Sequence, residues 1–407
     1  MANGGRMPAG KLFVGFDLGN DNHAVCAVSS GGDMVFEETV RNDWGAIEAL
    51  RRAMQKTGTL GAEDVCIAVE DRNCALVDAL LAHRFNVFAI NPKQVDRFRD
   101  RISMGGAKDD RRDARVLATT LRTDGAAYRA VTVLDELAIS LRAVETTIDW
   151  VGEDFRRAAN QLRAMVLRCW PSLLSLCPGT DEAWFWELVA KVMGEPIDDA
   201  GLTALLKRHR KRKTTVKDVR AVLDRPRLPV CEAVVASTAR EVGRQIQRLE
   251  LLKAQHMSAE KERLQLLERL HGTEQVPSDV DILLSAPGCG PKTTAALVTT
   301  VLPTLKAPGG LGLVRALCGV APVTKRSGKS SLTAMRHACS AQLREAMHHA
   351  AAAAARWDPK FKAHYGRLRA SGHNHARALR GIADRLLSLL SAMLRTRTLY
   401  RAPTSTA

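Results

Sequence analysis

Four carboxylates in this 407-residue chain sit where they could work on a phosphodiester. Asp17 closes the apolar run Phe13-Val14-Gly15-Phe16 and precedes Leu18-Gly19, where glycine lets a backbone or a phosphate approach closely. Glu70 closes a second apolar run, Val65–Val69, which would lie beside the first. Asp110 and Asp113 are three residues apart in Lys108-Asp109-Asp110-Arg111-Arg112-Asp113-Ala114, so a helix starting there points both off one face and Asp109 elsewhere. Two-metal phosphoryl transfer needs several carboxylates converging on about 4 Å of space. Taken singly, each acid reads as a solvated or capping group, and Asp109–Asp113 as a run that favours a helix N-terminus. Four at two strand ends and one helix face instead make a metal cup.

A serine supplies the second chemistry. Ser327-Gly328 lies in Lys325-Arg326-Ser327-Gly328-Lys329-Ser330-Ser331, a segment expected to be a loop. Lysine and arginine around a serine stabilise an alkoxide and a pentavalent phosphorus, although such a loop by itself reads as a phosphate-binding surface. No His-Asp pair is nearby to act as base, so a metal site would have to activate the hydroxyl. Ser330 and Ser331 are the alternative nucleophiles. Upstream, Pro287-Gly288-Cys289-Gly290-Pro291-Lys292 reads as a helix-hairpin-helix turn whose backbone N–H groups could grip a phosphate, with Lys292 beside it, or equally as a plain turn between core helices. Pro291 stands where a nucleotide-binding loop would need glycine. A third cationic feature is the run Lys207-Arg208-His209-Arg210-Lys211-Arg212-Lys213, suited to a nucleic-acid backbone.

The elements that must position these residues can be read from spacing. Residues 12–133 read as mixed α/β: strands at 13–17, 24–29 and 34–38, a helix at 44–55, a strand at 65–69, a helix at 75–83 and a strand at 86–90. With the helix after Lys108 this gives the order β-β-β-α-β-α-β-α, that of an RNase H-like domain. A sugar-kinase or actin-like ATPase would also place a loop like Gly15–Gly19 after its first strand, but the second glycine-rich loop and the adenosine segment it requires are missing. Residues 134–275 read as a helical or coiled-coil region interrupted at Trp170-Pro171, with one long helix over 238–270 carrying Leu249, Leu252, Met257, Leu264, Leu267 and Leu270. Residues 276–402 read as a last, mostly helical domain. Residues 1–11 read as a loose tail without an apolar signal core.

Composition sets the partners. Lys and Arg number 60 against 44 Asp and Glu, a formal net charge of +16, for which a polyanion is the usual reason. An apolar content of 46% is enough for real cores. No apolar run is long enough to span a membrane, and a cytoplasmic protein is expected. Nine scattered cysteines without a Cys-x-x-Cys pair indicate neither a disulfide framework nor zinc, and most should be small buried residues. His348-His349 and His373-Asn374-His375 lack ligand partners at metal spacing.

Five segments in order carry a resemblance: Gly15-Phe16-Asp17-Leu18-Gly19, Val69-Glu70, Lys108-x-Asp110-Arg111-Arg112-Asp113-Ala114-Arg115, Pro287-Gly288-Cys289-Gly290-Pro291, and Gly319-x-Ala321-Pro322 with Ser327-Gly328-Lys329. Over residues 12–400 the chain resembles DEDD-class insertion-sequence transposases, the family usually called insertion sequence one-hundred-and-ten. The resemblance implies a RuvC-like domain in which Asp17, Glu70, Asp110 and Asp113 bind Mg²⁺, with Mn²⁺ able to substitute. It implies a C-terminal domain in which Ser327 joins covalently to DNA. It also implies a structured noncoding RNA that pairs with donor and target DNA, and a homo-oligomer, dimer to tetramer, whose composite sites combine one subunit's metal domain with another's serine domain. The chain departs from the family pattern at Lys108-Asp109-Asp110, where Lys-Thr-Asp is usual. It departs again at Arg336-His337-Ala338-Cys339-Ser340, which lacks the usual glycine.

The expected function is therefore an RNA-guided DNA recombinase acting through a metal-assisted serine. Two alternatives remain at this level: a RuvC-like junction nuclease using water, and a basic nucleic-acid-binding protein that is not an enzyme. Lys207, Arg208, Arg210, Lys211, Arg212, Lys213, Lys292, Lys325, Arg326 and Lys329 are the candidate nucleic-acid contacts in all three.

Overall fold

The computed structural model describes residues 11–58, 61–70, 74–90, 95, 98, 109–125, 128, 130–131, 136–194, 196–226, 229–273, 275–327 and 330–401, without the side chains of 325, 326 and 330–333. It divides into two compact units, Met1–Val133 and Leu134–Ala407. Most of it is helical; the first unit holds a mixed five-stranded sheet and the second a two-stranded one.

In the first unit, β1 (Leu12–Asp17), β2 (Asn22–Val28) and β3 (Met34–Arg41) form an antiparallel meander. After α1 (Gly45–Thr57), β4 (Val65–Val69) returns parallel to β1, and after α2 (Ala75–Ala82), β5 (Asn86–Ala89) pairs parallel to β4. The sheet order is β3-β2-β1-β4-β5, and its elements follow one another along the chain in the expected order. Side chains alternate across the pleat. Leu12, Val14 and Phe16 enter the core shared with Leu50 of α1 and Leu80 of α2. Phe13, Cys66 and Ala68 enter the opposite core, shared with Ala114, Leu117 and Leu121 of α3 (Asp110–Asp124). Both faces are covered, so β1 and β4 read as continuous apolar runs.

The second unit hangs on two long helices, α4 (Glu136–Cys169) and, after α5 (Ala183–Gly194), α6 (Asp199–Arg208) and α7 (Val216–Leu223), α8 (Glu232–Arg269). Gln245 Nε2 donates to the Ala158 carbonyl at 2.8 Å, and Arg263 Nε lies 2.8 Å from Glu145 Oε1, so α4 and α8 run antiparallel. The Arg263–Glu145 pair is about 5% exposed and off line for a hydrogen bond. Burial pushes the Glu145 carboxyl above its ordinary pKa although Arg263 pulls it down. One end of this helix pair packs with α5 to α7 around Trp184, Phe185 and Trp186. Its other end shares a core with the C-terminal helices. The expected leucine stripe of α8 is only partly buried. Leu249, Leu252 and Leu267 face inward, whereas Met257 and Leu264 are 61% and 51% exposed, because the described helices packed on α8 leave that side of it uncovered.

The C-terminal part contains α9 (Asp279–Ser285), α10 (Pro291–Thr300), α11 (Leu302–Lys306), α12 (Leu311–Leu317), α13 (Ala341–Trp357), α14 (Pro359–Ala370) and α15 (His375–Thr396). A strand pair, β6 (Val323–Ser327) and β7 (Ser330–Ala334), stands between α12 and α13 where a loop was expected. Val323 and Thr324 register with Ala334 and Thr333, and β-branched residues such as Val323 and Thr324 favour extended backbone. Among the described residues no helix is long and apolar enough to cross a membrane. Six of the cysteines are buried, Cys74 and Cys339 are half-buried, and Cys231 is exposed, as the dispersed pattern implied.

Candidate active site

Asp17 and Glu70 lie at neighbouring strand ends. Phe16 is the register partner of Val69, so the parallel pair β1–β4 delivers both acids side by side at its C-terminal edge. The pleat decides which face they take. Phe13, Gly15 and Asp17 share one parity, as do Cys66, Ala68 and Glu70, and that parity is the α3 side. Gly15 makes the approach of α3 possible: a Cβ there would lie 2.0 Å from the Ala114 carbonyl oxygen and 2.7 Å from Ala118 N. One turn before Ala114 and two residues beyond Gly15, the first turn of α3 and Asp17 lie on the same side of the sheet.

Asp113 is 2% exposed on the inner side of that turn, whereas Asp110 is exposed to solvent. The i, i+3 spacing thus puts them on adjoining rather than identical faces. Asp109 is the N-cap, its carboxylate accepting from Arg111 N at 3.2 Å, which separates it from the other two as the spacing implied. Among the described residues no three His, Cys, Asp or Glu side chains are gathered closely enough to hold a metal ion. The donor set nonetheless consists of hard carboxylate oxygens suited to Mg²⁺ or Mn²⁺. Gly19, read as letting a backbone or a phosphate approach closely, admits backbone: a Cβ there would lie 2.3 Å from the Asn22 carbonyl oxygen in the β1–β2 turn. A residue without a sequence signal stands beside this turn: His23 is 3% exposed, accepts the Gly19 N–H through Nδ1, and burial holds its imidazole below the ordinary pKa.

Ser327 is exposed at the end of β6, with Ser330 as its register partner. Gly328 and Lys329 lie outside the described residues, as do the side chains of Lys325, Arg326, Ser330 and Ser331. Lys292 lies in the first turn of α10 and forms a 2.7 Å ion pair with Glu345, whose carboxyl it holds below the usual range. Gly288, in the turn before α10, has φ +79°, and a Cβ there would meet the Ala350 carbonyl oxygen at 2.1 Å. That glycine serves helix packing on α13. The basic run divides. Arg208 pairs with Glu187 at 2.7 Å, and Lys211 pairs with Glu182 at 2.5 Å and lies over the Trp184 ring, so these two serve their own bundle. Lys207, Arg210, Arg212 and Lys213 are exposed.

Sequence comparison bears on both regions. A family model described as a transposase, for the DEDD transposases of IS110, matches residues 14–171, and one described as transposase IS116/IS110/IS902 family matches residues 280–366. The chain belongs to the IS110 family of transposases. Its enzyme class is therefore DNA transposase. The chain is 27% identical over 400 residues to the Streptomyces coelicolor mini-circle protein named as the transposase for IS117, covering 95% of this chain and 94% of that one. It is 27% identical over 417 residues to the 43.6 kDa protein of insertion element IS110 from the same organism, covering 96% of each. A Sinorhizobium fredii protein named as a transposase, y4uE, is 34% identical over 206 residues, which cover 49% of this chain and 57% of that one. DEDD transposases are generally metal-dependent, and a transposase acts on DNA.

Proposed function

We propose that this IS110-family transposase is an RNA-guided DNA recombinase in which Ser327 attacks a DNA strand with the help of Mg²⁺ held by Asp17, Glu70, Asp110 and Asp113, the serine and the acids of one composite site coming from different subunits. The observation that carries the metal half is the shared face of Asp17, Glu70 and the first turn of α3, held by the missing side chain of Gly15. In this reading the sheet is RNase H-like and the four acids are the ligands. A bound divalent ion would supply charge stabilisation at the scissile phosphate and lower the cost of ionising the serine. Asp17 and Glu70 hold the site from the sheet, Asp113 closes it from beneath α3, and Asp110 faces the solvent side where substrate enters.

Ser327 Oγ forms a bond to phosphorus while the P–O3′ bond breaks. The serine proton passes to solvent and the departing 3′ oxygen takes one up. A 3′-hydroxyl of a partner strand then reverses the step on the phosphoserine, so exchange needs no nucleotide triphosphate. The hairpin presents Ser327 at its exposed end, as this requires. The guide RNA and an assembly of two to four chains follow from the family resemblance, and the +16 net charge suits polyanionic partners.

The test is covalent trapping with the RNA that co-purifies from the native host. Wild type with Mg²⁺ should form a protein–DNA adduct, and Ser327→Ala should form none while still binding DNA and RNA. An undiminished adduct in Ser327→Ala refutes the serine assignment. Cleavage that survives with free 5′-phosphates would instead identify a water-using nuclease.

A further inference from the structure

Two cavities flank the foot of the β6–β7 hairpin. One, of about 430 Å³, lies among Val320, Met347, Leu379, Arg344 and Arg380. The other, of about 660 Å³, shares Val320, Met335 and Arg380 with it and adds Arg377. We propose that the smaller cavity receives one unstacked nucleotide of the DNA strand on which Ser327 acts, its base on the apolar floor and its phosphate at Arg344 and Arg380. This rests on the recombinase reading above and names a subsite within it.

The floor is apolar and fixed: Val320, Met347 and Leu379 are 9%, 1% and 2% exposed and belong to packed elements. The rim is cationic with little internal compensation. Arg344 Nη1 donates to Cys339 Sγ at 3.7 Å and Arg380 Nη1 to Met335 Sδ at 3.6 Å, and sulfur is a weak acceptor, so both guanidiniums keep strong donors to offer. Glu345, the carboxylate in this wall, is engaged by Lys292 at 2.7 Å. An apolar floor with two guanidiniums at its edge fits a flat ring that carries a phosphate, since arginine recognises phosphate through paired donors. The volume lies within the ~300–1,000 Å³ of small-ligand sites and is concave, so a base must leave its stack to enter.

Placement favours DNA over RNA as the source. The cavity wall meets the foot of the hairpin, with Val320 three residues before β6 and Met335 directly after β7. Four residues at ~3.3 Å each separate Val323 from Ser327, which is about four stacked nucleotides at 3.4 Å. The subsite would therefore hold a nucleotide a few positions from the joined phosphate and fix the strand's register.

The test titrates the purified full chain with the four 2′-deoxynucleoside 5′-monophosphates, read by calorimetry, with inorganic phosphate, the free nucleosides and the ribonucleotides as comparisons. Wild type should bind at least one deoxynucleotide saturably, one per chain, and at least tenfold more tightly than phosphate or nucleoside. Ala376→Phe fills the cavity from an exposed position of α15 without changing charge, and should weaken binding at least tenfold. Arg344→Gln should do the same, and thermal melting verifies that both variants fold. Absence of saturable binding, equal binding of phosphate alone, unchanged binding in Ala376→Phe, or a preference for ribonucleotides would each overturn the proposal. No strand is cut in this assay, so its failure leaves the Ser327 adduct experiment standing, and failure of the adduct leaves this measurement intact.

Discussion

Replacing Gly15 by alanine adds one methyl group to the strand that ends in Asp17, and its consequences can be worked from the packing. The new Cβ would lie 2.0 Å from the Ala114 carbonyl oxygen, 2.7 Å from Ala118 N and 2.8 Å from Leu117 Cβ. Two of these three atoms are helix backbone, so no side-chain rotation relieves the clash. An ordinary contact needs ~3.5 Å, so α3 must retreat by about 1.5 Å. Overpacking of a rigid core costs ~1–3 kcal/mol, and the retreat carries Asp113 away from Asp17 and Glu70. A misplacement of ~1 Å at a reacting centre can cost ~100-fold in rate. Gly15→Ala should therefore melt lower yet remain folded, and lose ~100-fold or more in Mg²⁺-dependent strand joining. Both quantities are read on one preparation, by thermal denaturation and by gel assay of joined DNA. Strand joining at the wild-type rate, with wild-type melting, would show that α3 does not position the acids.

Two other predictions follow from the second unit. Arg263→Met leaves Glu145 buried without its partner and should cost ~3–5 kcal/mol in urea unfolding at pH 7. Burial already raises the Glu145 pKa, and loss of Arg263 raises it further. Protonation then relieves the buried charge, so the cost relative to wild type should shrink as pH falls from 7 towards 5; a pH-independent cost would contradict this account. For the thiols, burial pushes Cys289 and Cys318 up to about 12, while Cys231 is exposed. A thiolate-specific reagent at pH 8 should label Cys231 first and leave Cys289 and Cys318 untouched until the chain unfolds, as peptide mapping would show.

Much of the first unit was legible because both faces of its sheet are buried and its strands are short continuous apolar runs. Val65–Val69 agrees with the observed strand residue for residue, and parallel register does the rest by placing Glu70 beside Asp17. Gly15 was less legible: it was read as part of a motif, and its partner, the α3 backbone about a hundred residues away, cannot be seen from local spacing. The hairpin at Ser327 was missed for a related reason. Lys325, Arg326 and Lys329 make that segment look like a polar loop, and its β-branched signal is split between Val323-Thr324 and Thr333. The stripe on α8 shows the opposite error, since Met257 and Leu264 have core-like spacing but no helix over them among the described residues. The arginines at the hairpin foot lay in two helices separated by α14, and only the tertiary fold gathers Arg344 with Arg377 and Arg380.

That gathering changes what the net charge of +16 means. Several cations are consumed within the second unit: Arg208 by Glu187, Lys211 by Glu182, Lys292 by Glu345 and Arg315 by Asp384. Such pairs contribute little to attraction for a polyanion, because each cation already has an anion within hydrogen-bond distance. Part of the surplus resides in two other places. Lys207, Arg210, Arg212 and Lys213 are exposed near the end of α6, where cations would meet any phosphate backbone with low selectivity. Arg344, Arg377 and Arg380 line concave walls at the foot of the serine hairpin, with sulfur or no ion-pair partner among the described residues. A concave wall constrains geometry where an open surface only attracts, so in the proposed reading the first group would set affinity for nucleic acid and the second would select the nucleotide held a few positions from Ser327.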